Sequence, residues 1–347
     1  MRAVAAACFA LVVAGAAPAR ETAPPTLAQL VGQKLVVSMN GTAPSASLLW
    51  RVRRGDLGGV ILHRFNFRTS AQLRRITRSL QDAAAVAGQP KLLIAVDQEG
   101  GHVKTVPWAP PSLAPAQMGL QARPQGSRTG AALRTLGINT DFAPVADVPA
   151  SAASAVYRQG RTWSFDTQET SRRAGEFGLG LRDARALATM KHFPGLGLAR
   201  RNTDRALVRI RAPRKTLAAG LVPFRHGIRD RVPMIMLSNA IYDAYDPVNA
   251  AGWSRAIATT LLRRELGFTG VSVTDSLDGA ARVRGIPPNG LAIGAANAGT
   301  DMILLTGSEA ATRDVFTSLL RAAQRGRIGR ATLELSYERI LRLKSRL

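Results

Sequence analysis

Residues 186–195 read Ala186-Leu187-Ala188-Thr189-Met190-Lys191-His192-Phe193-Pro194-Gly195. The first five form an apolar run with no polar alternation, as expected of a strand buried on both faces. The run then stops at two basic, hydrogen-bonding residues and a Pro-Gly turn. A parallel strand delivers polar side chains to the mouth of a barrel in this way. Seven more short β-rich runs occur in the chain of 347 residues, at 34–39, 59–63, 92–97, 140–144, 234–239, 271–275 and 302–306. Segments such as 71–87, 170–184 and 254–266 lie between them, with helical periodicity and arginines on the outer face. Eight such repeats predict an α/β fold: a single (β/α)8 TIM-type barrel spanning residues 20–347.

The polar residues fall where such a barrel would use them. Strand after strand runs into functional side chains: Asp97-Gln98-Glu99, Asp147, Lys191-His192, Asn239 and Asp275. One polar strand end is readily a cap for the next helix. Five on one rim exceed what capping requires, and that rim is the catalytic face of a TIM-type barrel. The stretch 336–344 predicts a closing amphipathic helix packed outside, with no second domain after it.

The start of the chain reads as a targeting segment. Arg2 precedes an apolar stretch at 3–16, and Ala17-Pro18-Ala19 fits a small-x-small cleavage site, so residues 1–19 are expected to be a signal peptide. The sole cysteine, Cys8, lies inside that leader. A cleaved chain would carry no thiol, which excludes disulfides, thiolate metal sites and cysteine nucleophiles. No later run of about 18 apolar residues predicts membrane insertion. The expectation is an exported protein: extracellular, periplasmic or held at the cell wall.

The net charge is +24, from 47 basic against 23 acidic residues, and only six of the basic ones are lysines. The charges are scattered in pairs such as Arg200-Arg201 and Arg263-Arg264, without the stripe or module that nucleic-acid binding requires. No nucleic-acid partner is expected; the charge reads first as a general arginine bias rather than a selected polyanion site, although it would also hold an exported protein near an anionic cell-wall polymer. The four histidines, at 63, 102, 192 and 226, are dispersed, so no metal site is expected.

Six motifs in strand order carry a resemblance: Gly58-Gly59-Val60-Ile61-Leu62, Asp97-Gln98-Glu99-Gly100-Gly101, Phe142-Ala143-Pro144-Val145-Ala146-Asp147-Val148, Lys191-His192-Phe193-Pro194-Gly195, Thr274-Asp275-Ser276-Leu277 and Ala298-Gly299-Thr300-Asp301-Met302. From about residue 30 onward the chain resembles glycoside hydrolase family three, in its bacterial β-N-acetylhexosaminidase form. The resemblance implies that Asp275 is the nucleophile of a retaining glycosidase. It further implies that Asp97, Lys191, His192 and Arg161 hold the sugar, with no cofactor. Each has a plainer reading: Asp275 as a helix cap, Asp97 as a satisfied strand-end carboxylate, Lys191 as a neutralising charge, Arg161 as one arginine among many. Asp147 is expected to order loops.

The chain departs from the family in the loop after Gly195. There the family carries His-Gly and then an Asp-x-His pair whose histidine is the acid/base. Here Leu196 replaces the first histidine, and Asn202, Thr203 and Asp204 occupy the positions of the pair. Thr105 replaces a further sugar-binding arginine. Two readings follow: Asp204 is the proton donor, or no acid exists and the barrel only binds glycans. Asn-Thr-Asp is also an ordinary turn sequence. The leading expectation is an exported retaining β-glycosidase acting on terminal β-N-acetylglucosaminides of peptidoglycan or chitin type, with carbohydrate as substrate. Alternatives are a β-glucosidase of the same family, a catalytically impaired glycan-binding barrel, and a lyase or aldolase using Lys191.

Overall fold

Short, mostly apolar runs without strict polar alternation form strands only where both faces are covered, and the structure supplies both covers. The computed structural model describes Ala3 and residues 24–347, so the expected signal peptide, apart from Ala3, lies outside the described residues together with Cys8. All eight predicted runs are strands: β1 (Leu35–Ser38), β2 (Gly59–Ile61), β3 (Leu93–Val96), β4 (Thr140–Asp141), β5 (Leu187–Phe193), β6 (Met234–Leu237), β7 (Val271–Thr274) and β8 (Ile303–Leu305). They pair in parallel in the order β7-β6-β5-β4-β3-β2-β1-β8. A parallel bridge between Val273 and Met302 closes the ring. There Thr274 N donates to Met302 O at 3.0 Å and Met302 N to Ser272 O at 2.8 Å.

The alternation of side chains sorts the core. Val36, Leu93, Ala95, Met234, Met236, Val271, Val273 and Leu304 pack together inside the barrel. Their neighbours Leu35, Val37, Ile94, Val96, Ile303 and Leu305 join one outer cluster, and Ile235 and Leu237 join another. The outer clusters are roofed by helices such as Ser70–Val86 and Thr167–Asp183. The closing helix is longer than the sequence pattern predicts, running Arg330–Lys344. Leu333, Ser336, Ile340 and Leu343 are all buried, so one helical stripe extends back through its first turn.

The rim at the strand N-termini is a structural network. Lys34 Nζ donates to Thr300 O at 2.8 Å and Ser336 Oγ at 2.9 Å, and Lys344 Nζ to Gln33 Oε1 at 2.6 Å. Burial pushes these ammonium groups down, to about 8 for Lys34 and about 7 for Lys344. Asp301 accepts from Arg263, from Arg339 at 3.1 Å and from Ser272 N at 2.8 Å. Among the described residues no helix is long and apolar enough to cross a membrane.

Candidate active site

At the opposite rim, where the strands end, a cavity of about 690 Å³ opens over Ile61, Met236 and Leu304, inward-facing residues of β2, β6 and β8. Asp97, Arg161, Lys191, His192, Asp204 and Asp275 all line it, so every residue predicted for the site meets in one place. His63, Glu99 and Arg282 join them.

Lys191 comes from β5, and its ammonium lies 2.6 Å from Asp97 Oδ1 and 2.6 Å from Glu99 Oε1. Arg161 grips Glu99 in a two-pronged pair, Nε to Oε2 at 2.8 Å and an Nη to Oε1 at 2.8 Å. The result is an alternating relay of charges, Asp97, Lys191, Glu99 and Arg161. Burial alone would push the Glu99 carboxyl up, but Arg161 and Lys191 outweigh it and hold the group at about 2. Burial also works against the charge on Lys191, yet Asp97 and Glu99 keep its ammonium above the usual lysine value. Imine chemistry needs a neutral amine. A lysine held between two carboxylates is not one, so the lyase alternative loses its only residue.

The β3 end is shaped by Gln98, whose side chain donates to Val106 O, Ala109 O and Pro110 O and accepts from Val106 N. Thr105 Oγ1 accepts from Asp97 N at 3.3 Å. Thr105 therefore serves the turn.

His192 is fixed by Asp147, which follows β4 and is fully buried. Asp147 Oδ2 lies 2.8 Å from His192 Nδ1, while Oδ1 accepts from His192 N at 3.2 Å and Leu196 N at 2.7 Å. A proton on Nδ1 leaves the Nε2 lone pair to accept a hydrogen bond, with an Arg161 Nη 3.4 Å away. Asp147 thus orders the loop, as expected, and orients a cavity residue as well.

Asp275 follows β7, with its N–H donating to Leu237 O of β6 at 2.8 Å and its Oδ1 accepting from Ser276 N at 2.7 Å. The barrel register therefore sets its position. Asp204 reaches the cavity from the long loop after β5. That loop packs against the one after β4, with Ala150 N donating to Gly197 O and Ala155 N to Ala199 O. Only glycine fits at 197, because a Cβ there would lie 1.6 Å from Val148 O.

Asn202 makes the turn: its Oδ1 accepts from Asp204 N at 2.7 Å. Asp204 itself does not serve the turn. Its Oδ1 is buried without a hydrogen-bond partner and sits against Gly279, at the start of the helix after β7. Burial, and then the negative charge of Asp275, push the Asp204 carboxyl up to about 6. An acid beside a carboxylate, in a cavity lined by charged and hydrogen-bonding side chains, is equipped for acetal chemistry. Among the described residues no group of three or more His, Asp or Glu could hold a metal ion.

Sequence reasoning placed Glu99 on the polar rim with Asp97 but gave it no role. Its partners come from β5 and the loop after β4, so no local pattern reveals them. Arg282, on the helix after β7, was likewise indistinguishable from its many fellow arginines.

Comparison with known proteins shows the family. The family model described as the glycosyl hydrolase family 3 N terminal domain matches residues 26–343. An uncharacterized secreted glycosyl hydrolase of Arthroderma benhamiae is 32% identical over 352 residues, covering 98% of each chain. A beta-hexosaminidase of Alkalilimnicola ehrlichii is 34% identical over 284 residues, covering 78% of this chain and 80% of its own. Among solved structures, a glycoside hydrolase family 3 beta-N-acetylglucosaminidase from Paenibacillus superposes with a TM-score of 0.87 at 32% identity, covering 93% of this chain and 63% of that one. A beta-N-acetylhexosaminidase from Beutenbergia cavernae gives 0.82 at 30% identity, over 93% and 100% of the two chains.

Proposed function

The chain belongs to glycosyl hydrolase family 3 as a hydrolase of β-hexosaminidase type, and on that premise we propose that it is an exported retaining β-N-acetylglucosaminidase. It removes terminal β-N-acetylglucosamine from peptidoglycan- or chitin-type fragments. The observation that carries this reading is Asp204: a carboxyl raised to about 6, with a buried unpartnered oxygen, in the same cavity as Asp275.

The sugar docks on the charge relay, with Asp97 accepting from its hydroxyls, Lys191 and Arg161 donating, and His192 Nε2 accepting. Asp275 attacks the anomeric carbon and forms the glycosyl-enzyme, while Asp204 gives its proton to the departing oxygen. Esterification of Asp275 removes the negative charge that helps to raise Asp204. The acidity of Asp204 then increases and its carboxylate persists, ready to take a proton from the water that hydrolyses the ester. Asp275 is thereby released as a carboxylate and Asp204 is reprotonated. Against the non-catalytic alternative stands the presence of this carboxyl where an acid is needed.

Export rests on the leader pattern at 1–19 and on the relative from Arthroderma benhamiae that is named as secreted. An N-terminus near Arg20 on protein recovered outside the cytoplasm is the expected result.

The catalytic test is intact mass after incubation with a fluorinated N-acetylglucosaminyl donor bearing an activated leaving group. A gain of one glycosyl unit mapped to Asp275 is expected. Unmodified protein that still binds the sugar would overturn the reading in favour of a glycan-binding barrel.

A further inference from the structure

The loop that carries Asp204 also carries Arg200, Arg201 and Arg205, and these line a second cleft of about 300 Å³ together with Arg158. The cleft adjoins the catalytic cavity, with Arg158, Gln159, Arg201 and Asn202 lining both. Deep in the cavity charges are matched, Lys191 and Arg161 against Asp97 and Glu99. In the cleft they are not. Among the described residues none of its four arginines pairs with a carboxylate. Arg158 donates to Ala153 O at 2.8 Å and to Arg200 O at 2.7 Å, which ties the loop after β4 to the acid loop and fixes one wall.

The position of the cleft gives it meaning. A sugar seated on the relay turns its anomeric carbon to Asp275 and its glycosidic oxygen to Asp204. Whatever departs with that oxygen must leave along the Asp204 loop, where the arginines stand. We propose that this cleft binds an anionic group, a carboxylate or a phosphate, carried by the leaving portion of the substrate. The inference rests on the assignment of Asp204 as acid, and it selects an anion-bearing glycan over neutral chito-oligosaccharide. Guanidinium groups recognise both anions through paired hydrogen bonds. Each exposed contact is weak, so the effect is collective, and it is screened by salt.

The test compares kcat/KM for matched substrates at low ionic strength. N-acetylglucosaminyl-N-acetylmuramic acid against N,N′-diacetylchitobiose probes the carboxylate. N-acetylglucosaminyl ribitol phosphate against its unphosphorylated form probes the phosphate. The wild-type protein should prefer the anionic member of at least one pair by about tenfold, less so as salt rises, and the pair that responds identifies the anion. The double variant Arg201→Gln/Arg205→Gln should bring the ratio to within about twofold of unity. The control Arg53→Gln/Arg78→Gln, which removes as much charge from an outer helical face, should keep the wild-type ratio. Equal rates on both pairs, or a preference that survives the first variant or is lost in the control, would overturn the proposal. If no glycoside is turned over, the hydrolase reading fails separately. Calorimetry with N-acetylmuramic acid, inorganic phosphate and N-acetylglucosamine then decides the cleft: anion binding must depend on Arg201 and Arg205, and its absence overturns the proposal.

Discussion

Replacing Gly279 with alanine puts the role of Asp204 to a test that leaves both aspartates in place. The new Cβ would lie 2.5 Å from Asp204 Oδ1, 3.2 Å from Cγ and 3.4 Å from Cα. The last contact is ordinary, so the backbone can stay and the carboxyl must turn away by close to ~1 Å, a displacement that in an active site can cost 10²-fold. Folding should not suffer, because Gly279 lies inside the helix Leu277–Arg284 and alanine is the better helix former by about 1 kcal/mol. The assay is a pair of β-N-acetylglucosaminides, one with a sugar or alkyl leaving group and one with dinitrophenol. A misplaced donor should lower kcat/KM for the first by roughly 10–100-fold and for the second by less than about threefold, since a good leaving group needs little protonation. Equal losses on both would mean that the helix or Asp275 had moved. No loss on the poorer leaving group would refute the assignment of Asp204 as proton donor.

The same assignment sets a pH dependence. Turnover requires protonated Asp204, so activity on poor leaving groups should fall as pH rises through about 6, and Asp204→Asn should abolish that limb together with roughly 10²–10⁴ in rate. Asp147→Asn keeps the shape of the buried acceptor but allows an amide N–H to face His192 Nδ1, driving the proton to Nε2. KM should rise about tenfold or more, with a smaller change in kcat, and a ¹⁵N imidazole spectrum should report the exchanged tautomer. At the other rim, Lys344 has a folded value of about 7 against 10.5 for the free side chain. The cost of burying its charge is therefore full below about pH 7 and fades as pH rises towards the free value, where the unfolded chain loses its proton too. Lys344→Met should raise Tm by a few degrees near pH 6 and by much less near pH 10, with equal gains at both arguing against a charged amine.

The barrel was legible because parallel strands covered on both faces leave short, mostly apolar β-rich runs, although β4 is Thr140–Asp141 and β7 carries Ser272 and Thr274. The catalytic rim was legible for a related reason: a polar residue that ends such a run has nowhere to go but the mouth. Partnerships across the mouth were not legible. Glu99 meets Lys191 and Arg161, and Asp147 meets His192, across gaps of dozens of residues that leave no local spacing. Residues 202–204 show the limit most clearly. Read as sequence, Asn202 and Asp204 were equally good turn-makers, and only in three dimensions does one carry the turn while the other keeps a bare oxygen. The arginines of the second cleft were hidden by abundance, since nothing in an arginine-rich chain distinguishes a gathered few from the scattered rest.

The two aspartates of the site are anchored in unlike ways, and this governs how freely each can change. Asp275 inherits its place from the ladder joining β6 and β7, so any shift there displaces a whole wall of the barrel. Asp204 is hung from an asparagine turn, on a loop stitched to its neighbour by backbone bonds and by the side chains of Asp147 and Arg158. On the proposed assignment, proton donation is thus a fitting on a fixed chassis. The chemical type of a donor held by a loop can change without rebuilding the barrel, whereas a nucleophile held at Asp275 would be bound to the architecture.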